Sequence, residues 1–111
     1  MYYIEKKVEI SAAHYLELDY PSKCKTLHGH NWVITIYCKA KELNKNGMVT
    51  DFTLIKEMIK QKLDHCILND SLPGINPTAE NIARWICDNT DNCYKVSVQE
   101  SEGNTAIYEK D

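Results

Sequence analysis

An α+β domain of order ββααββ, four antiparallel strands with two helices on one face, follows from three features of the 111-residue chain. Apolar residues alternate at period two in two N-terminal segments, recur at helical spacing in two central ones, and alternate again near the C-terminus. Turn-forming stretches separate these blocks, and no repeat or low-complexity run interrupts them. The length suits one domain over residues 1–111. A domain this small buries only about two-thirds of its unfolded surface, so a sheet covered on one face points to self-association.

The first strand is residues 4–14, where Val8, Ile10, Ala12 and His14 share one face and Glu9, Ser11 and Ala13 the other. Residues 28–40 alternate again, with His28, His30, Trp32, Ile34, Ile36 and Cys38 on one face. A segment containing Pro21 joins the two as a wide-looped hairpin. After "NKNG" the period becomes helical: Phe52, Ile55, Ile59, Leu63 and Cys66 or Ile67 form a stripe, with Asp51 as N-cap. The loop "NDSLPGIN" ends that helix. Thr78 caps a second, whose stripe is Ala79, Ile82, Ala83 and Ile86. Residues 94–100 place Tyr94, Val96, Val98 and Glu100 on one strand face, and "SEGN" turns the chain into a last strand at 105–109.

Composition narrows the function classes. A net charge of -3 argues against nucleic acid as the main ligand, because phosphate-tracking surfaces are basic. No stretch approaches the roughly 18 apolar residues of a membrane span, and the N-terminus lacks the apolar core of a signal peptide. The five cysteines include no CxxC pair, which favours a reducing, cytoplasmic setting over a disulfide framework.

Polar residues at the ends of apolar strand faces carry the chemistry. In a strand, positions i and i+2 point the same way about 6–7 Å apart, so His28 and His30 can converge on one ion. With four histidines in the chain, a third ligand must be His14 or His65, and His14 ends the strand expected beside the HxH pair. Three imidazoles with an open position make the catalytic zinc pattern. Cys24, flanked by Lys23 and Lys25, reads either as a reactive thiol or as a fourth, closing ligand. Asp64 beside His65 can fix an imidazole tautomer for proton transfer. Glu100 could accept two hydrogen bonds from a planar donor edge such as that of a pterin or guanine.

Read together, "SAAHYL" (11–16), "CKTLHGHNW" (24–32), "GMVTDF" (47–52), "LDHCILN" (63–69), "PTAENIARWI" (77–86) and the glutamate of "VSVQESEGNTAIY" (96–108) resemble the 6-pyruvoyltetrahydropterin synthase superfamily. The blocks cover nearly the whole chain in order. The gap between Cys24 and the HGH is three residues, Lys25, Thr26 and Leu27, shorter than in animal-type pyruvoyl synthases. In this the chain is similar to the 6-carboxy-5,6,7,8-tetrahydropterin synthases of queuosine biosynthesis. Two positions depart from the usual pattern, Trp32 after HGHN and Ser101 after the glutamate.

The resemblance implies a tunnelling (T-fold) domain whose sheets join into a trimeric barrel, with two trimers stacked as a homohexamer. It also implies zinc held by His14, His28 and His30, a catalytic thiol at Cys24, and Asp64 and His65 as its proton-relay partners. Glu100 would anchor the pterin. The implied substrate is 7,8-dihydroneopterin 3'-triphosphate, converted to the carboxytetrahydropterin, acetaldehyde and triphosphate. Lys23 and Lys25 are candidates for the triphosphate. No nucleic acid or membrane partner is expected.

Overall fold

The computed structural model describes residues 1–111. Strands β1 (Tyr2–His14) and β2 (His28–Ala40) pair antiparallel over their whole length, from Tyr2 opposite Ala40 to His14 opposite His28. Between them, Lys23–Lys25 makes one 3-10 turn, its N-terminus held by the Ser22 hydroxyl, which accepts from the Cys24 N–H. Helix α1 (Phe52–Leu63) starts where the Asp51 carboxylate accepts from the Thr53 N–H at 2.8 Å. Two short elements follow, β3 (Cys66–Ile67) and α2 (Leu68–Ser71). Helix α3 (Ala79–Asp88) is capped by Thr78, as its sequence predicts, and β4 (Cys93–Ser101) and β5 (Asn104–Glu109) close the chain as a hairpin.

The sheet runs β3-β1-β2-β4-β5. It therefore has five strands rather than the expected four, and a third helix of one turn. The extra strand is β3, parallel to β1, with Cys66 beside Ala12 and Ile67 beside Ala13. Its cause is local. Asp64 accepts from the Ser11 N–H at 2.9 Å, and the His65 N–H donates to the Ser11 carbonyl at 2.7 Å. His65 takes a left-handed φ of 55°, which turns the chain out of α1 and along the edge of β1. Cys66 and Ile67 thus leave the helical stripe to which the period assigned them.

The core lies between the even-numbered face of β1 and β2 and the helices. Trp32, Ile34, Ile36, Ile59, Leu63, Ile82 and Ile86 are fully or almost fully buried there. Each such Ile or Leu contributes about 1.5–3 kcal/mol by leaving water. Phe52, placed by its spacing in the α1 stripe, is instead exposed, and Val49 fills the core at that end. A bulge opposite Tyr37 and Cys38 also reverses Tyr94. Its ring packs with Tyr3 and Tyr37, residues of the face away from the helices. That second face has no cover. It carries Ser11, Asn31, Thr35, Ser97 and Gln99, with exposed Tyr3 and Ile107 towards its margins.

The free cysteines Cys38 and Cys87, which fall in apolar patterns of the sequence, are core residues, as is Cys93 at the start of β4, whereas Cys66, also in an apolar pattern, is only half-buried. Burial pushes the Cys87 thiol up to about 12, which makes it a poor nucleophile. No helix is long and apolar enough to cross a membrane.

Candidate metal centre

The β1–β2 register decides the site. His14 lies directly opposite His28, and His30 is one pleat further along β2, opposite Ala12. All three occupy the helix-facing side, so their rings meet: centroids are 4.6 Å apart for His14 and His28, 4.9 Å for His28 and His30, and 5.3 Å for His14 and His30. One ligand atom from each lies within 4.8 Å of the others.

Hydrogen bonds choose which nitrogen of two rings is free. His14 Nδ1 is 2.8 Å from the Pro77 carbonyl and His28 Nδ1 is 2.7 Å from the Thr26 carbonyl. A carbonyl only accepts, so each Nδ1 carries the proton and each Nε2 keeps its lone pair. His14 is fully buried, and that burial lowers its pKa from 6.5, against the opposing pull of the Pro77 carbonyl. It is therefore neutral near pH 7, the state a metal ligand needs.

His14 Nε2 and His30 Nε2 are buried without any hydrogen-bond partner. Each such atom costs about 1–3 kcal/mol, and a fold does not gather two of them without a compensating bond. A divalent ion of the zinc type fits. Tetrahedral sites take imidazole nitrogens at about 2.0–2.1 Å from the ion, and three converging lone pairs leave a fourth position open. Glu100 faces the same centre, with Oε1 3.5 Å from His30 Nε2 and Oε2 3.8 Å from His14 Nε2. The alternation of β4 that buries Val96 and Val98 turns Glu100 to the same side, where the β4–β5 register shifts between Gln99 and Ser101. Glu100 also lines a cavity of about 400 Å³ with Thr78, Ala79, Tyr20 and Asn104.

Cys24 stands apart from the triad. Its carbonyl accepts from the Leu16 N–H at 2.9 Å, which ties the 3-10 turn to the segment just past His14. Its sulfur is not part of the cluster of mutually close ligand atoms. Lys23 and Lys25 beside it are exposed and make no ion pair.

The Asp64–His65 pair opens on the uncovered face. His65 is 81% exposed, with Nε2 3.8 Å from Asp64 Oδ2, and Lys60 approaches the same oxygen at 3.4 Å. The Ser11 N–H bond, followed by Lys60, holds the Asp64 carboxyl below the usual carboxylate range, so it stays ionised. His65 lines a cavity of about 640 Å³ with Ser11, Ala13, Gly29 and Asn31 of the uncovered face and with Ala12 and His30. A side chain at Gly29 would meet only the Ala12 carbonyl, at an ordinary 3.7 Å. No hydrogen bond or ion pair joins Cys24 to Asp64 or His65 within the chain.

The fold thus brings His14, His28, His30 and Glu100 together and keeps Cys24 and the Asp64–His65 pair separate. Several supporting residues lie outside the sequence-based set. The Thr26 and Pro77 carbonyls orient two imidazoles. Asn69 and Asn76 each make two hydrogen bonds to the backbone of Tyr15 and Glu17, clamping the chain beyond His14. Only the amide side chains of those asparagines gave any prior signal, as groups able to imitate a strand edge.

Comparison with known proteins agrees with this architecture. Residues 3–111 match the family model described as 6-pyruvoyl tetrahydropterin synthase. A Synechocystis protein named 6-carboxy-5,6,7,8-tetrahydropterin synthase is 39% identical over 94 residues, covering 78% of this chain and 72% of its own. A Bacillus subtilis protein of the same name is 27% identical over 95% of this chain and 83% of its own. Among solved structures, the Caenorhabditis elegans 6-pyruvoyl tetrahydropterin synthase shares the fold with a TM-score of 0.78 at 24% identity, over 99% of this chain and 96% of that one. With residues 3–111 matched by the family model and these relatives aligned over most of their own length, the chain belongs to the 6-pyruvoyl tetrahydropterin synthase family, in the branch of the 6-carboxy-5,6,7,8-tetrahydropterin synthases.

Proposed function

We propose that the chain is a zinc-dependent carbon–carbon lyase, a 6-carboxy-5,6,7,8-tetrahydropterin synthase acting on 7,8-dihydroneopterin 3'-triphosphate. Its products are 6-carboxytetrahydropterin, acetaldehyde and triphosphate, and its place is 7-deazaguanine and queuosine biosynthesis. The observation that carries this reading is the pair of orphaned Nε2 atoms of His14 and His30, facing His28 and the Glu100 carboxylate.

Bound by the three histidines, zinc supplies Lewis-acid polarisation of the substrate's side-chain oxygens. The protein's own groups do the rest. Glu100 receives the planar N–H edge of the pterin by charge-assisted hydrogen bonds. Cys24 and His65, the latter backed by ionised Asp64, take protons from and return them to the side-chain carbons.

The uncovered sheet face supports a homo-oligomer, trimeric or hexameric. It also supplies a reason for one. No hydrogen bond or ion pair joins Cys24 to the Asp64–His65 pair within a chain, and the pair opens on the face that a second copy would cover. The pair of one chain then serves the thiol of its neighbour.

The deciding experiment incubates the zinc-loaded protein with dihydroneopterin triphosphate and reads products by mass. Carboxytetrahydropterin with stoichiometric acetaldehyde is expected. A pyruvoyl product without acetaldehyde would move the chain to the pyruvoyl synthase reaction. No turnover, with tight pterin binding retained, would leave a binding module with a structural zinc.

Glu100→Gln keeps the shape of the side chain and removes its charge. Losing a hydrogen bond to a charged group costs about 1.5–3 kcal/mol, so substrate binding weakens roughly 10–150-fold. Zinc content stays at the parental level. A parallel fall in metal content would show that Glu100 is a ligand and not the ring anchor.

A further inference from the structure

We propose that Trp32 is the positioning residue of the metal centre and that its indole reports metal occupancy; the proposal rests on the metal reading of the histidine triad. Trp32 follows His30 by one pleat on the same face of β2 and is completely buried. Its ring stands perpendicular to two ligands from two strands. The centroid distance is 4.9 Å to His14, at 83°, and 5.2 Å to His30, at 85°. Its Nε1–H donates to the Ala12 carbonyl of β1 at 3.1 Å, two residues from His14. The indole is thus fixed to one ligand strand while belonging to the other.

His30 makes this arrangement necessary. The Nδ1 atoms of His14 and His28 each have a carbonyl that sets ring orientation, but His30 Nδ1 has no hydrogen bond. With Glu100 3.5 Å from its Nε2 and no bond at Nδ1, the ring relies on packing for its orientation, and the Trp32 indole supplies one wall of that packing. Perpendicular aromatic pairs are favourable beyond their buried area, so rotation of His30 away from the centre loses that contact. Trp32 therefore does for His30 what Pro77 and Thr26 do for the other two ligands, through shape in place of a hydrogen bond. Groups that orient metal ligands in this way typically account for about 10–100-fold in metal affinity.

The test measures zinc affinity against a chromophoric chelator for the parent, Trp32→Phe and Trp32→Leu. Far-UV circular dichroism of each metal-free protein confirms that it folds. Trp32→Leu is expected to bind zinc about 10–100-fold more weakly, and Trp32→Phe, which keeps a perpendicular ring but loses the N–H bond, falls between. Where Trp32→Leu fails to fold, the emission signal and the Trp32→Phe affinity decide. A Trp85→Phe background leaves Trp32 as the sole indole, because the chain has two tryptophans. Its emission should change with added zinc and be quenched by cobalt(II), each saturating at one equivalent. Parental affinity in both folded Trp32 variants overturns the proposal, as does an emission that ignores stoichiometric metal. A parent that binds no zinc overturns the metal reading itself, and this proposal with it.

Discussion

His28→Ala will purify without zinc and without activity, whereas Cys24→Ala will lose activity and keep its metal. The asymmetry comes from geometry. His28 gives an Nε2 whose lone pair is fixed by the Nδ1 bond to the Thr26 carbonyl, and it stands directly opposite His14. Removing it leaves two nitrogens, and the loss exceeds the roughly 10–100-fold that an outer partner costs. His28 is only partly buried, so its truncation leaves no large core cavity and the fold should survive. Cys24 holds its turn through backbone atoms, its N–H to Ser22 and its carbonyl to Leu16, and an alanine keeps both. Metal analysis of the two purified variants checks this. Equal zinc loss in both would return Cys24 to the ligand set and make the site a closed, structural one.

Acid should release the metal as well. His14 must be neutral to bind, and burial keeps its pKa below the usual 6.5. The unfolded chain therefore binds more protons than the folded one below about 6.5, so lowering the pH destabilises the metal-free fold and competes with the ion together.

What the sequence makes legible here is what repeats. Period two placed His14, His28 and His30 on one face because pleating admits no other arrangement once Val8, Ile10, Ile34 and Ile36 are inside. Asp51 and Thr78 were readable as caps because the first turn of a helix needs a side-chain acceptor. What escaped depends on contacts between distant segments. The two-residue strand β3 has no period of its own, and it exists because Asp64 and His65 both bond to Ser11. Tyr94 turned over at a bulge that one extra residue in β4 creates, and a one-residue slip reverses a face. The carbonyls of Thr26 and Pro77 carry no signal in a sequence, since every residue has one. Residue identity supplied the candidate ligands, while their aim came from backbone that only the fold brings near.

Two inactive variants, Cys24→Ala and His65→Ala, should restore activity when co-expressed in one cell and purified as mixed oligomers. Each lacks one of the two groups proposed to move protons. The His65 cavity includes Ser11, Ala13, Gly29 and Asn31 of the uncovered face, so in the proposed oligomer the pair would serve a neighbouring chain. In a symmetric ring with equal mixing, an intact site needs a His65→Ala chain to supply Cys24 and a Cys24→Ala chain to supply His65. Random assembly meets that condition at about a quarter of the interfaces, so about a quarter of the parental rate should return in mixed hexamers and about a third in mixed trimers. Distinct affinity tags on the two variants, used in sequence, isolate oligomers that contain both. If each site were built within one chain, no mixture of these variants could contain an intact one, and the rate would stay at the level of either alone. Asp64→Asn in place of His65→Ala sharpens the result. The amide oxygen can still accept from the Ser11 N–H, so the β1 edge holds while the charge behind His65 is gone. Complementation by that variant as well would assign the shared group to the pair acting as a unit, and would tie the uncovered face of the sheet to catalysis.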